Sequence, residues 1–206
     1  MSETIHRIYL SDQISSVLIE EKKSFEAYLN ESLFIDEREQ LDLLLNENRK
    51  VEFLGVRRLR NESKLPSPIF YTETRKPYLD QKLNAFISIS HSKKFCAFGF
   101  SSHEIGIDIE EMSPRIERIA TRFVSSVEMS LISEDKILDL TKLWTMKEAM
   151  FKLNNRAGIE FKSELIIEGK TDEIYFGKML GEKGWERVKL ECFQLGNLVI
   201  STCCYL

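Results

Sequence analysis

The six residues Ile105-Gly106-Ile107-Asp108-Ile109-Glu110 restrict this chain more than any other stretch. Alternation of apolar and acidic residues suits a β-strand, whose successive side chains point to opposite faces. Ile107 and Ile109 then pack on one face, and Asp108 and Glu110 project from the other. Two carboxylates side by side are unfavourable unless a cation or a basic group lies between them. Oxygen ligands that leave coordination incomplete suit Mg²⁺, which keeps waters and shares phosphate oxygens. For these six residues alone, an exposed strand end carrying two acids is the competing explanation.

A second cluster is Leu143-Trp144-Thr145-Met146-Lys147-Glu148-Ala149-Met150-Phe151-Lys152. On a helix, Trp144, Glu148 and Lys152 lie at i, i+4 and i+8, along one face. They form either a surface Glu–Lys pair or a third oxygen ligand (Glu148) with a phosphate contact (Lys152); Trp144 anchors the helix in both cases. A third cluster, Ile87-Ser88-Ile89-Ser90-His91-Ser92-Lys93, runs an alternating strand into a polar group that could bind an anion or merely hydrogen-bond locally. Lys76-Pro77 lies upstream, its lysine beside a stiff neighbour.

Charge is distributed unevenly. Residues 1–48 hold 4 Lys/Arg against 11 Asp/Glu, a net −7, and residues 49–94 hold 11 against 4, a net +7. The total is −4, so charge alone does not make the chain a nucleic-acid binder. The basic middle implies either a local anionic ligand or a solvated helix face. No C-x-x-C pair is present, which argues against a structural zinc. No run approaches the roughly 20 apolar residues of a membrane helix. A reducing cytoplasm without disulfides is the expectation.

Periodicity predicts a strand over 6–10 and a helix from an Asp12 cap to about Asn30. It also predicts a helix capped by Asp36, and a basic helix over 49–61 with Val51, Leu54 and Leu59 inward and Arg49, Lys50, Arg57, Arg58 and Arg60 on its other faces. Strands follow over 69–71, 85–90, 94–101 and 104–109. Helices are expected over 116–123 and 127–154, the latter opened by a Ser125/Glu128 capping box and breaking near Ser133. Strands over 164–168, 173–179, 187–193 and 198–205 end the chain, with Gly196-Asn197 as a hairpin turn. The order reads helices, strands, helices, strands. That is an α+β class with two similar halves, 1–101 and 102–206.

Together and in this order, the motifs resemble the signature of the 4′-phosphopantetheinyl transferase superfamily. The Asp108-x-Glu110 strand and Trp144-Thr145-Met146-Lys147-Glu148-Ala149-x-x-Lys152 carry the resemblance. Arg75-Lys76-Pro77-Tyr78 and Ser88-Ile89-Ser90-His91-Ser92 look like further motifs of its single-chain, surfactin-synthetase-activating type. The resemblance implies an α+β fold of two pseudo-twofold-related halves with coenzyme A in the cleft between them. It implies Mg²⁺ on Asp108, Glu110 and Glu148, and Lys152 on the pyrophosphate. It places Lys76, Ser90, His91 and an arginine of the basic helix, Arg57, at the 3′-phosphate and adenosine end. Glu128 is the candidate general base, or the carboxylate that orients a metal-bound water. The partner would be an acyl or peptidyl carrier protein, and the enzyme a cytoplasmic monomer. The alternatives are a coenzyme A-binding relative that transfers nothing, another Mg²⁺-dependent phosphate-ester enzyme such as a nuclease or pyrophosphatase, and a structural protein with solvated acids. After Lys152 the resemblance thins, with only Gly158 kept from a lysine- and glycine-containing turn.

Overall fold

Val17, Leu18 and Ile19 have no solvent exposure, and they lie in a strand, not in the helix expected over 12–30. In this computed structural model, which describes residues 4–12, 15–154 and 156–206, β1 (Ile5–Tyr9) pairs antiparallel with β2 (Ser16–Glu21). Strands on both edges, β1 and β6 (Phe95–Ser101), satisfy the β2 backbone, and each of its buried Val, Leu or Ile side chains contributes about 1.5–3 kcal/mol. Intrinsic helix preferences differ by only about 0.7 kcal/mol per residue. Burial therefore outweighs local propensity over this stretch. Asp12 instead caps a turn, its Oδ1 accepting the Ser15 amide at 2.8 Å.

The chain divides into two compact units, Met1–His103 and Glu104–Leu206. In the first, a four-stranded sheet has the order β1-β2-β6-β5, with β5 at Phe86–His91 and β6 at Phe95–Ser101. The helices are α1 (Ile35–Leu43) and α2 (Glu47–Glu62). A two-stranded ribbon pairs β3 (Phe70–Tyr71) with β4 (Pro77–Tyr78). Asn46 caps α2, accepting the Arg49 amide at 3.1 Å. Asp36 lies inside α1, which starts one residue earlier behind Phe34.

Val51, Leu54 and Leu59 face inward on α2 as the periodicity requires, but Arg57 and Arg60 are buried with them. Both guanidiniums bind Glu37 of α1: Arg57 Nε lies 3.2 Å from Oε1 and Arg60 Nη2 lies 3.0 Å from Oε2. Glu37 also accepts the amides of Ile69 and Phe34. Buried charge is tolerated only when paired and hydrogen-bonded, and this carboxylate meets both conditions. The basic helix is thus not simply a solvated face.

In the second unit, β7 (Gly106–Glu111), β8 (Leu165–Thr171), β9 (Ile174–Gly181), β10 (Gly184–Leu195) and β11 (Leu198–Tyr205) form an antiparallel sheet of order β7-β11-β10-β9-β8. The turn between β10 and β11 uses Gly196 at φ +58°, a conformation that favours glycine. Helix α3 (Ile116–Phe123) has the predicted bounds. The helix expected over 127–154 breaks near Ser133 as expected, leaving a 3-10 turn (Val127–Leu131) and α4 (Lys136–Asn154). Between them Ser133 donates its amide to Asp139 Oδ2 at 2.7 Å. Leu140, Leu143, Met146, Ala149, Met150 and Leu153 of α4 form the core with Leu165, Ile167, Met179, Val188 and Leu190 of the sheet.

The fold is α+β, and each unit begins with a strand. The cysteines stand as thiols, with no disulfide among the described residues. No described helix is long and apolar enough to cross a membrane.

Where α4 crosses β7, the backbones approach closely. A Cβ on Gly106 would lie 2.0 Å from the Ala149 carbonyl oxygen, and a backbone atom cannot swing aside as a side chain can. Gly106→Ala is therefore expected to destabilise the protein by about 3 kcal/mol, read as a lower urea midpoint with an unchanged slope.

Candidate active site

The i, i+4, i+8 stripe of α4 faces the acidic side of β7. Lys152 Nζ lies 2.8 Å from Asp108 Oδ1, and Trp144 Nε1 donates to Glu110 Oε1 at 3.4 Å. With Trp144 at the Glu110 end and Ala149 over Gly106, α4 runs antiparallel to β7. Ile107 and Ile109, on the other side of the strand, are buried. Ser201 of β11 sits beside Asp108 in the sheet and shares a 2.7 Å hydrogen bond with Thr145 of α4.

Three carboxyls share this space. Glu148 is pushed up to about 7, first by burial and then by the charge of Asp108; Lys152 opposes the rise and Glu110 adds to it. Glu110 is raised by burial and by Asp108, against the Trp144 hydrogen bond and Lys152. Among the described residues no group of three His, Cys, Asp or Glu is already gathered to hold a metal ion. Here the Lys152 ammonium is the cation on Asp108. The donor set nonetheless fits a hard divalent cation: the donors are carboxylates only, and their mutual repulsion is what added positive charge would relieve.

Glu128 has no solvent exposure. Its Oε2 accepts the Ser125 amide at 2.7 Å and its Oε1 accepts the Ile167 amide at 2.8 Å. Lys147 Nζ lies 2.8 Å from Oε1 and also donates to the carbonyls of Phe123 (2.6 Å) and Phe161 (2.8 Å). The Ser125–Glu128 bond is one half of the expected capping box. The carboxylate ties the 3-10 turn to β8 and α4, and it presents no surface to a substrate hydroxyl. This geometry does not support Glu128 as the base.

In the first unit, His91 Nδ1 lies 3.5 Å from Glu52 Oε1. Lys22 Nζ reaches the same oxygen at 2.9 Å and the Ser92 carbonyl at 2.7 Å, and Arg49 Nη1 reaches Glu52 Oε2 at 3.0 Å. Burial pushes the Glu52 carboxyl up, but Lys22, His91 and Arg49 outweigh it and hold it below the usual range. Ser90 is buried in β5, opposite Ala97 of β6. Lys76, half-buried at the base of the β3–β4 turn, donates its amide to Thr72 Oγ1 at 3.0 Å. Arg57 is only 1% exposed. Besides Glu37, it donates to the Tyr71 hydroxyl at 3.4 Å and lies 3.5 Å from the Phe53 ring centroid. Arg57 is thus buried beside Glu37, Tyr71 and Phe53 and does not lie on an open helix face, and its Nη2 has no hydrogen-bond partner among the described residues.

Residues 104–203 match the family model of the 4′-phosphopantetheinyl transferase superfamily. The second unit of the chain is thus similar to that superfamily over nearly its whole length. Curated relatives are similar to part of the chain. The 4′-phosphopantetheinyl transferase Sfp of Bacillus subtilis (strain 168) is 39% identical over 84 residues, 39% of this chain and 38% of that one. The transferase psf-1 of Bacillus pumilus is 36% identical over 98 residues, 45% and 42% of the two chains. The transferase gsp of Aneurinibacillus migulanus is 28% identical over 109 residues, 50% and 45%. The chain thus spans less than half the length of the relatives it matches.

Within this unit Lys152 pairs with Asp108, Trp144 bonds Glu110, and Glu148 feels the charges of Asp108, Lys152 and Glu110. Two residues escaped the sequence reading. Trp144 was given only a packing role, though its indole also bonds Glu110. Lys147 was given none, although a lysine four residues after Leu143 stands among apolar core positions of α4, which is a signal for a buried partner.

Glu128→Gln is expected to cost about 3–5 kcal/mol, because it leaves the Lys147 ammonium buried without its counter-charge; thermal melting checks this. Glu148 binds its proton more tightly folded than unfolded. Without metal, its contribution to stability therefore falls as pH rises from its ordinary 4.5 through about 7. In EDTA, Glu148→Gln is expected to melt above the wild type at pH 8 and level with it at pH 4.

Proposed function

We propose that this chain transfers the 4′-phosphopantetheine arm of coenzyme A to a serine of an acyl or peptidyl carrier protein, releasing adenosine 3′,5′-bisphosphate. The observation that carries this reading is the convergence of Asp108, Glu110 and Glu148 beside Lys152, in the unit that matches the superfamily. Asp108, Glu110 and Glu148 would hold Mg²⁺, which when bound neutralises pyrophosphate charge and polarises the phosphorus.

The chain's own groups do the rest. Lys152, now on Asp108, donates to a pyrophosphate oxygen. The serine hydroxyl forms a new P–O bond at the pantetheine-bearing phosphorus, and the bond from that phosphorus to the bridging oxygen breaks. The electron pair leaves on the adenosine bisphosphate. Little covalent catalysis is needed, because charge neutralisation and alignment supply most of the rate. The serine proton passes to water at the site, since Glu128 is sealed in the core and Glu148 is committed as a metal ligand. His91, Ser90 and Lys76 are assigned to the 3′-phosphate and adenosine end. Exposed lysines and arginines of the basic 49–94 segment would steer acidic carriers. The enzyme is proposed to work as a monomer in the cytoplasm.

Intact mass of a panel of apo carrier proteins, incubated with this protein, coenzyme A and Mg²⁺, tests the reading. The expected result is one phosphopantetheine added to a carrier, abolished by EDTA. Asp108→Ala is expected to slow transfer by about 100-fold or more with circular dichroism unchanged. Equal rates for this variant and the wild type at saturating Mg²⁺ would remove the ligand assignment.

A further inference from the structure

Glu110 is the carboxylate of the site whose orientation depends on an aromatic ring. Trp144 Nε1–H points to Glu110 Oε1, and the ring that carries it is fixed on two sides. Phe123 meets it edge-on at 5.1 Å between centroids, and Phe161 stacks on it at 5.4 Å. Phe161 is in turn backed by Phe151 at 5.7 Å. Phe161 also gives its carbonyl to the buried Lys147 ammonium. An indole clamped this way has one direction for its N–H, and that direction selects one rotamer of Glu110.

We propose that Trp144 is a positioning residue for the divalent cation, holding Glu110 in its ligating orientation through the Nε1–H hydrogen bond. This rests on the reading of Asp108, Glu110 and Glu148 as the metal ligands. Glu110 is partly buried on β7 but retains some solvent exposure, so without a fixed donor its side chain would sample rotamers that turn the carboxylate away from Asp108. Repulsion from Asp108 favours those rotamers, and the indole opposes them. Hydrogen bonds to ligating carboxylates commonly change metal affinity by about 10–100-fold when removed.

The test reads metal binding directly. The chain has two tryptophans, Trp144 and Trp185, and Trp185 is exposed near the β9–β10 turn. Trp185→Phe therefore leaves Trp144 as the single indole fluorophore. Mn²⁺, a paramagnetic stand-in for Mg²⁺, is expected to quench its emission, with Mg²⁺ reversing the quench by competition. In the otherwise wild-type chain, Trp144→Phe keeps a ring in the aromatic box and removes the donor. It is expected to weaken Mn²⁺ binding by about 10-fold in calorimetry. Should Trp144→Phe fail to fold, β-(3-benzothienyl)alanine at position 144 replaces only the N–H by sulfur and is expected to show the same loss.

A lowered melting temperature with unchanged Mn²⁺ affinity would make Trp144 a packing residue and overturn the proposal. Unquenched Trp144 emission in a protein that binds Mn²⁺ by calorimetry would overturn it as well. No Mn²⁺ binding by the wild type would instead remove the metal reading on which the proposal rests.

Discussion

The close approach of α4 to β7 at Gly106 sets the distances of everything around it. Backbone-to-backbone contact there, with no room for a Cβ beside the Ala149 carbonyl, lays the helix directly on the strand. The stripe of Trp144, Glu148 and Lys152 is thereby brought to the acidic face that carries Asp108 and Glu110. Lifting the helix by the thickness of a methyl group would separate the indole from Glu110 and loosen the Lys152–Asp108 pair. A glycine between two isoleucines is thus part of the site, although it carries no functional group.

Two groups of charges in this unit follow opposite logic. Lys147 and Glu128 are sealed, and each is bonded to the other and to backbone groups. Such a pair fixes structure and has no capacity left for chemistry. Asp108, Glu110 and Glu148 are crowded, with two of them pushed toward protonation and one ammonium among them. That is an arrangement with unspent electrostatic energy, and it is where a cation or a phosphate would gain most. The first unit repeats the contrast. Glu37 closes Arg57 and Arg60 into the core, whereas Lys22, Arg49 and His91 gather on the partly exposed Glu52.

These contrasts explain which sequence readings held. Alternation over Ile105–Glu110 and the 3.6-residue period of Trp144, Glu148 and Lys152 are local properties, and both survived because each element buries the apolar face its period predicts. Residues 12–30 were misread because a helical cap and an acidic stretch are also local signals, while the demand on Val17, Leu18 and Ile19 comes from two neighbouring strands. The break expected near Ser133 is present, between Val127–Leu131 and Lys136–Asn154, and the turn before it is held from outside. Glu128 is required by Lys147 and the Ile167 amide, and both lie outside the 3-10 turn it belongs to.

Fold class, the carboxylate strand, the Trp-Glu-Lys stripe and the superfamily resemblance were all available from residue types and spacing, since a strand or a helix dictates which of its own residues share a face. The fates of Glu128, Arg57 and Lys147 were not. Whether a charged side chain is sealed or available depends on which groups from distant parts of the chain complete its hydrogen bonds and exclude water. A carboxylate with two amides and an ammonium around it has the same letter in the sequence as one waiting for a metal, and only packing tells them apart.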